Sequence, residues 1–250
     1  MESTWRPPDL CSMGNFLLHP ADTRGNADHG WLKSRHTFSF GNYFDPLRIR
    51  FGALRVLNDD QVAAGMGFGE HPHENMEIVS IPLEGALDHR DSLGNRAVIR
   101  RGDIQTMSAG TGVRHSEYNH SRTEPVAFLQ IWVLPDRKDV QPRYGQVTLR
   151  DTDLHNRLQQ VVSPDPDDEG VWIHQSAWFH MGRFDENIET RYDIRRRGNG
   201  LYAFVIKGRF DIDGVRLQTR DGAGFTESDS VAIRALSPEA EILLIDVQFA

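Results

Sequence analysis

The 250-residue chain carries 28 lysines and arginines against 36 aspartates and glutamates, a net charge of −8. That balance excludes nonspecific phosphate binding as the main activity, since a nucleic-acid footprint is basic. The length suits one large domain or two small ones with a real core, and the single cysteine, Cys11, excludes an intrachain disulfide and suits a reducing compartment.

The amino terminus, MESTWRPPDLCSMGNFLLHP, has an early glutamate, two prolines and only a short apolar run. No secretory signal and no membrane span are expected from it or from any later segment, so the expected location is cytoplasmic. Met13 is a candidate alternative start, which would leave residues 1–12 as a peripheral extension. Short β-branched or alternating runs then recur: RIRFGALRVLN, MEIVSIPL, NRAVIRRG and VAFLQIWVLP in the first half, GLYAFVIKG, GVRLQTRDG, SVAIRAL and EILLIDVQF in the second. Short strands at close spacing predict an all-β sandwich or barrel rather than βαβ units. DSLGNR reads as a turn, because Gly94 and Asn95 tolerate positive φ. A helix is predicted at TDLHNRLQQV, capped by Thr152 or Asp153, and SPDPDDEG (residues 163–170) reads as an exposed loop. The basic run Arg195–Arg197, beside Gly198 and Gly200, reads as a solvated turn.

The two halves resemble each other. In each, an apolar strand closes on a glycine, a hairpin follows, and a second glycine opens the next strand. A period near half the chain predicts two tandem β-barrels of similar build: residues 14–140, a linker with a short helix at 141–170, and residues 171–250.

One constellation carries chemistry. Residues two apart on a strand share a face, so His71 and His73 in GEHPHEN aim the same way, as do His115 and Glu117 in GTGVRHSEYN. Either pair alone is as readily a solvated strand face as a site. Together, inside one barrel, they would present three imidazoles and a carboxylate to one point, a donor set suited to a divalent transition metal with open positions. Pro72, lacking a backbone donor, fits an irregular strand end at a barrel mouth. No G-x-S-x-G elbow, G-x-x-x-x-G-K loop or C-x-x-C pair is present. His29, His36, His89, His120, His155, His174 and His180 lack paired spacing and read as surface or hydrogen-bonded histidines, although the aromatic company of His36 would suit a cavity mouth.

Gly65, His71, His73, Glu77 and Gly85 resemble the first cupin motif, except that seven residues rather than six precede Gly85. Gly112, His115 and Asn119 resemble the second, without its usual proline near Gly110. More closely, HPHENMEIVSIPLEGALDHRDSLGN and RRGDIQTMSAGTGVRHSEYN resemble the pirin family, from about HPADTRGNADHG to the carboxy terminus. The resemblance implies two jelly-roll cupin barrels (a bicupin) with few short helices. It also implies one metal held in the first barrel by His71, His73, His115 and Glu117. Glu77 is then either a further ligand or structural. Iron(II) is the leading candidate, with nickel, manganese, copper, zinc and cobalt as alternatives. The second half has no histidine after His180, and Ile194 and Arg196 fall where His71 and His73 would repeat, so no second site is expected.

Bacterial pirins are similar to quercetin 2,3-dioxygenases, which open the central ring of a flavonol with O2 and release carbon monoxide. The implied catalytic residue is Glu117, as acceptor of the enol proton, and the implied partners are a flavonol-like aromatic substrate and O2. The alternative implied by other pirins is a non-enzymatic, metal-binding regulatory module that docks on a protein partner. Direct nucleic-acid binding is not expected. A monomer is the default, since the chain already supplies two barrels.

Overall fold

The computed structural model describes residues 15–249; Cys11, Met13 and the extension at residues 1–12 lie outside the described residues. Four sheets form two sandwiches. In the first, a seven-stranded sheet runs in the order Arg143–Thr148, Asp103–Ser108, Glu77–Glu84, Val126–Val133, Leu54–Val62, Leu32–His36, Gly25–Asp28. It faces a four-stranded sheet ordered Gly67–His73, Val113–Asn119, Ala86–Asp91, Arg96–Arg100. The second sandwich repeats the plan. Its large sheet is Asn15–His19, Gly222–Thr226, Asn199–Lys207, Ala240–Gln248, Trp178–Phe184, Gln159–Ser163, Val171–Trp172. Its small sheet is Glu189–Asp193, Ser230–Ala235, Arg209–Ile212, Val215–Gln218. The expected pair of tandem all-β barrels is what the chain forms.

The two large sheets pack face to face. Val79, Ile81, Leu129 and Ile131 from the first meet Phe179, Phe204, Leu243 and Ile245 from the second in one apolar cluster. Each large sheet is therefore covered on both sides, which explains why MEIVSIPL and EILLIDV read as nearly unbroken apolar runs. Arg24 and Arg220 both reach Asp59 in this contact, at 3.3 and 3.2 Å.

Gly85 ends Glu77–Glu84 at φ +71°, and Gly208 ends Asn199–Lys207 at φ +83°. Both close their strands with a turn that an L side chain resists, which is the physical content of the repeated glycine seen in the sequence.

Three expectations are corrected. Asn15–His19 pairs with Gly222–Thr226, so this strand extends the second barrel's sheet although its sequence precedes the first barrel. The stretch expected as a linker is shared out: Arg143–Thr148 pairs with Asp103–Ser108, and Gln159–Ser163 pairs with Trp178–Phe184. The expected ten-residue helix shrinks to Asp151–Leu154. Asn156 turns the chain at φ +54°, and Val161 and Val162 bury completely in the inter-sheet core, a gain that an isolated helix of marginal length does not offer.

Candidate metal centre and its cavity

The interior of the first barrel carries a continuous row of polar side chains on its large sheet. Along the inward face of its large sheet, directly opposed residues form a row: His36 faces Asn58, Asn58 faces Gln130, Gln130 faces Ser80, and Ser80 faces Gln105. Apolar clusters flank the row, one containing Leu87, Val126 and Phe128, the other Ile78, Met107 and Val113. Buried polar groups cost stability where they lack a hydrogen-bond partner, as His36 Nδ1, Asn58 Oδ1 and Gln105 Oε1 in this row do.

The small sheet faces this row. His115 stands directly opposite His71, and Glu117 opposite Phe68, with the register shifting between them. Such a bulge re-aims side chains and allows Phe68, His71 and His73 all to serve the barrel interior. Gly67 permits the close approach: a Cβ there would overlap the Glu117 carbonyl oxygen and the Tyr118 Cα. Ring centroids of His71, His73 and His115 lie 4.4 to 4.9 Å apart. One nitrogen from each falls within 4.8 Å of the others, a group able to hold a metal ion.

The chemistry of these donors suits a cation. His71 Nδ1 donates to the Gly69 carbonyl at 2.8 Å, which leaves Nε2 as the ring nitrogen not engaged by the backbone. Both ring nitrogens of His115 are buried without a hydrogen-bond partner, an arrangement that costs about 1–3 kcal/mol unless something fills it. Burial, then neighbouring His71, holds His73 neutral, with its pKa down to about 4. Burial and the facing His71, His73 and His89 push His115 down to about 2. Neutral imidazole is the form that binds metal.

Glu117 is fully enclosed. Burial raises its pKa to about 7, against the opposing effect of Ser80 and Gln130. Ser80 Oγ donates to Oε1 at 3.2 Å and Gln130 Nε2 to Oε2 at 2.8 Å. The same Ser80 hydroxyl also donates to Gln130 Oε1 at 2.9 Å, so Ser80 and Gln130 together hold the carboxylate from across the barrel.

His89 is the residue that pair spacing missed. It faces Glu117 across the strands, and His89, His115 and Glu117 form a second, overlapping trio of donors within 4.8 Å. Its Nε2 lies 3.2 Å from Asp91 Oδ2, while Nδ1 is buried and unpartnered. Its sequence signal was the carboxylate two residues on, on the same face. Glu77, by contrast, belongs to the opposite face of its strand from Ile78 and Ser80. It accepts Ser108 Oγ at 2.7 Å on the side turned to the second barrel; it is a structural carboxyl, not a member of the cluster. Asn119 likewise serves the backbone, its Nδ2 donating to the carbonyls of Val62, Ala63 and Glu124.

A cavity of about 740 Å³ opens onto the cluster, with His71, His73 and Glu117 in its wall. Phe40, Tyr43, Phe68 and Trp132 supply aromatic lining, and His36 also lines it. Trp132 packs edge-on against both Phe40 and His73, at 5.4 and 5.0 Å between centroids. A mostly apolar cavity with a few convergent polar groups is the usual form of a small-molecule site.

Among the described residues the second barrel shows no such group of donors. The strand Ser230–Ala235, in the place of Val113–Asn119, gives Val231, Ile233 and Ala235 to an interior filled by Leu201, Val205, Phe210 and Leu244. Ile194 packs against that core, and His180 is engaged with Arg195 at 3.1 Å.

Two jelly-roll sandwiches in tandem, one with a histidine cluster and the other filled, define a two-domain cupin protein. Residues 18–133 match the Pirin family model and residues 160–247 match the quercetinase C-terminal cupin domain; the chain belongs to the pirin family. It is 43% identical to a quercetin 2,3-dioxygenase of Escherichia coli K12 over 93% of this chain and 98% of that protein. It is 39% identical to a pirin-like protein of Caulobacter vibrioides over 91% and 97% of the two chains. A solved structure of the E. coli pirin YhhW in complex with nickel(II) superposes with a TM-score of 0.89 at 41% identity, covering 94% of this chain and all of that one. Among the described residues no helix is long and apolar enough to cross a membrane.

Proposed function

We propose that the chain is a pirin-type dioxygenase that cleaves flavonols such as quercetin with O2 at a divalent metal held by His71, His73, His115 and Glu117. The observation that carries this is a pair of donor trios sharing His115, namely His71 with His73 and His115, and His89 with His115 and Glu117, beside an aromatic-lined cavity large enough for a flavonol. Iron(II) is the proposed native ion; nickel(II) is the ion in the E. coli relative. When bound, such a cation supplies Lewis acidity toward a chelating hydroxy-ketone.

The protein's own groups do the rest. Phe40, Phe68 and Trp132 hold a flat ring system and exclude water from it. Glu117 receives the enol proton, and the longer of its two hydrogen bonds, from Ser80 to Oε1, makes that oxygen the more available acceptor. Ser80 and Gln130 keep the carboxyl in place as its charge changes.

The test is metal analysis of protein purified without added metal, followed by oxygen uptake with quercetin. Uptake is expected to vanish in Glu117→Gln and to survive in His155→Ala, whose side chain is exposed and paired with Asp185. Full metal occupancy with no uptake on any flavonol would replace the dioxygenase by the regulatory, protein-docking reading.

A further inference from the structure

Across the cavity from the histidine cluster lies a second set of polar groups that the proposed chemistry does not use. We propose that Asn58 and Asp60, with His36 beside them, form a recognition subsite for the phenolic hydroxyls of the substrate remote from its chelating group. The proposal rests on the dioxygenase reading for the identity of the substrate and on the cavity wall for everything else.

His36 faces Asn58 across the strands, and Ser34 faces Asp60, so the four form one patch on the inward face of the large sheet. All four line the cavity, yet His36, Asn58 and Asp60 are only 4, 3 and 5% exposed. Asn58 Oδ1 and His36 Nδ1 are buried without any hydrogen-bond partner. Ser34 Oγ donates to Asp60 Oδ1, leaving Oδ2 to accept from elsewhere. Buried polar atoms are almost always satisfied, so unmet groups side by side on a cavity wall mark the place of a ligand's complementary groups.

Their chemistry specifies those groups. Asn58 Oδ1 and Asp60 Oδ2 are oxygen acceptors, and a carboxyl carbonyl accepts whether or not its partner oxygen carries a proton. They ask for hydrogen-bond donors. Leu32, Phe40, Tyr43 and Trp132 around them shape the space for a flat ring. A hydroxylated aromatic ring meets both demands; an unsubstituted ring leaves the acceptors buried and unpaired, the situation in which polar sites discriminate most strongly.

The experiment uses full-length, metal-loaded protein without oxygen, with quercetin and 3-hydroxyflavone as probes. Both carry the chelating hydroxy-ketone, and only quercetin carries further hydroxyls. Binding is read from tryptophan fluorescence, Trp132 being in the wall. Wild type is expected to prefer quercetin by about tenfold or more, one lost hydrogen bond's worth. Asp60→Asn, which turns an acceptor into a donor at constant shape, and Asn58→Leu are expected to shrink that preference to about threefold or less. Metal content and 3-hydroxyflavone affinity should stay unchanged. Equal affinity of wild type for the two probes, binding of neither, or a preference that survives both substitutions would overturn the subsite. Oxygen uptake is read separately: preference without uptake supports the subsite and removes the dioxygenase, whereas uptake without preference does the reverse.

Discussion

Replacing Glu77 by glutamine tests the assignment of that residue as a structural carboxyl turned away from the cluster. Burial pushes its pKa from 4.5 up to about 7, against the opposing effects of Ser108, the His174 backbone and Arg143. The unfolded chain releases this proton near 4.5 and the folded protein only near 7. The stability contributed by the protonated form is therefore fully present below pH 4.5 and is lost as pH rises through 7. At about 1.4 kcal/mol per pKa unit, the change between pH 5 and pH 8 is about 2.5 kcal/mol. Glutamine keeps the shape and an acceptor for Ser108 but does not ionise. Subtracting wild-type from Glu77→Gln unfolding free energies at each pH cancels the other titrating groups. The difference should rise by about 2.5 kcal/mol from pH 5 to pH 8, or roughly 5–10 °C in melting temperature. Metal content should match wild type throughout. A flat difference would refute the burial argument, and loss of metal would return Glu77 to the list of ligands.

Ser80→Ala removes a donor that holds Glu117 Oε1 from the opposite sheet. Metal affinity, measured by competition with a chelator, should weaken by about 10–100-fold, and an unchanged affinity would mean that Ser80 does not position the carboxylate. Leu244→Ala opens a cavity in the filled second barrel, where this side chain is completely buried. It should cost about 2–5 kcal/mol in denaturant unfolding with metal stoichiometry unchanged, and any loss of metal would show that the two barrels are coupled at the site.

Much of the centre was legible because strand geometry is local. The i, i+2 spacing of His71 with His73 and of His115 with Glu117 already placed each pair on one face. The turns at Gly85 and Gly208 announced the duplication. The same logic, applied to His89 and Asp91, would have found the residue that was passed over. Glu77 misled because its motif position says nothing about which side of a doubly covered strand it occupies.

What the sequence by itself determined, then, is many of the short strands, their grouping into two similar halves, and which half carries the paired histidines, since each of these follows from residue types a few positions apart. The tertiary structure alone decided that Asn15–His19 joins the far barrel and that Gln159–Ser163 is a strand. It alone aligned His36, Asn58, Gln130, Ser80 and Gln105 in one row facing the cluster. Those five residues sit on five strands from distant parts of the chain, and the register between such strands is fixed by the burial of whole sheet faces, which no local pattern records.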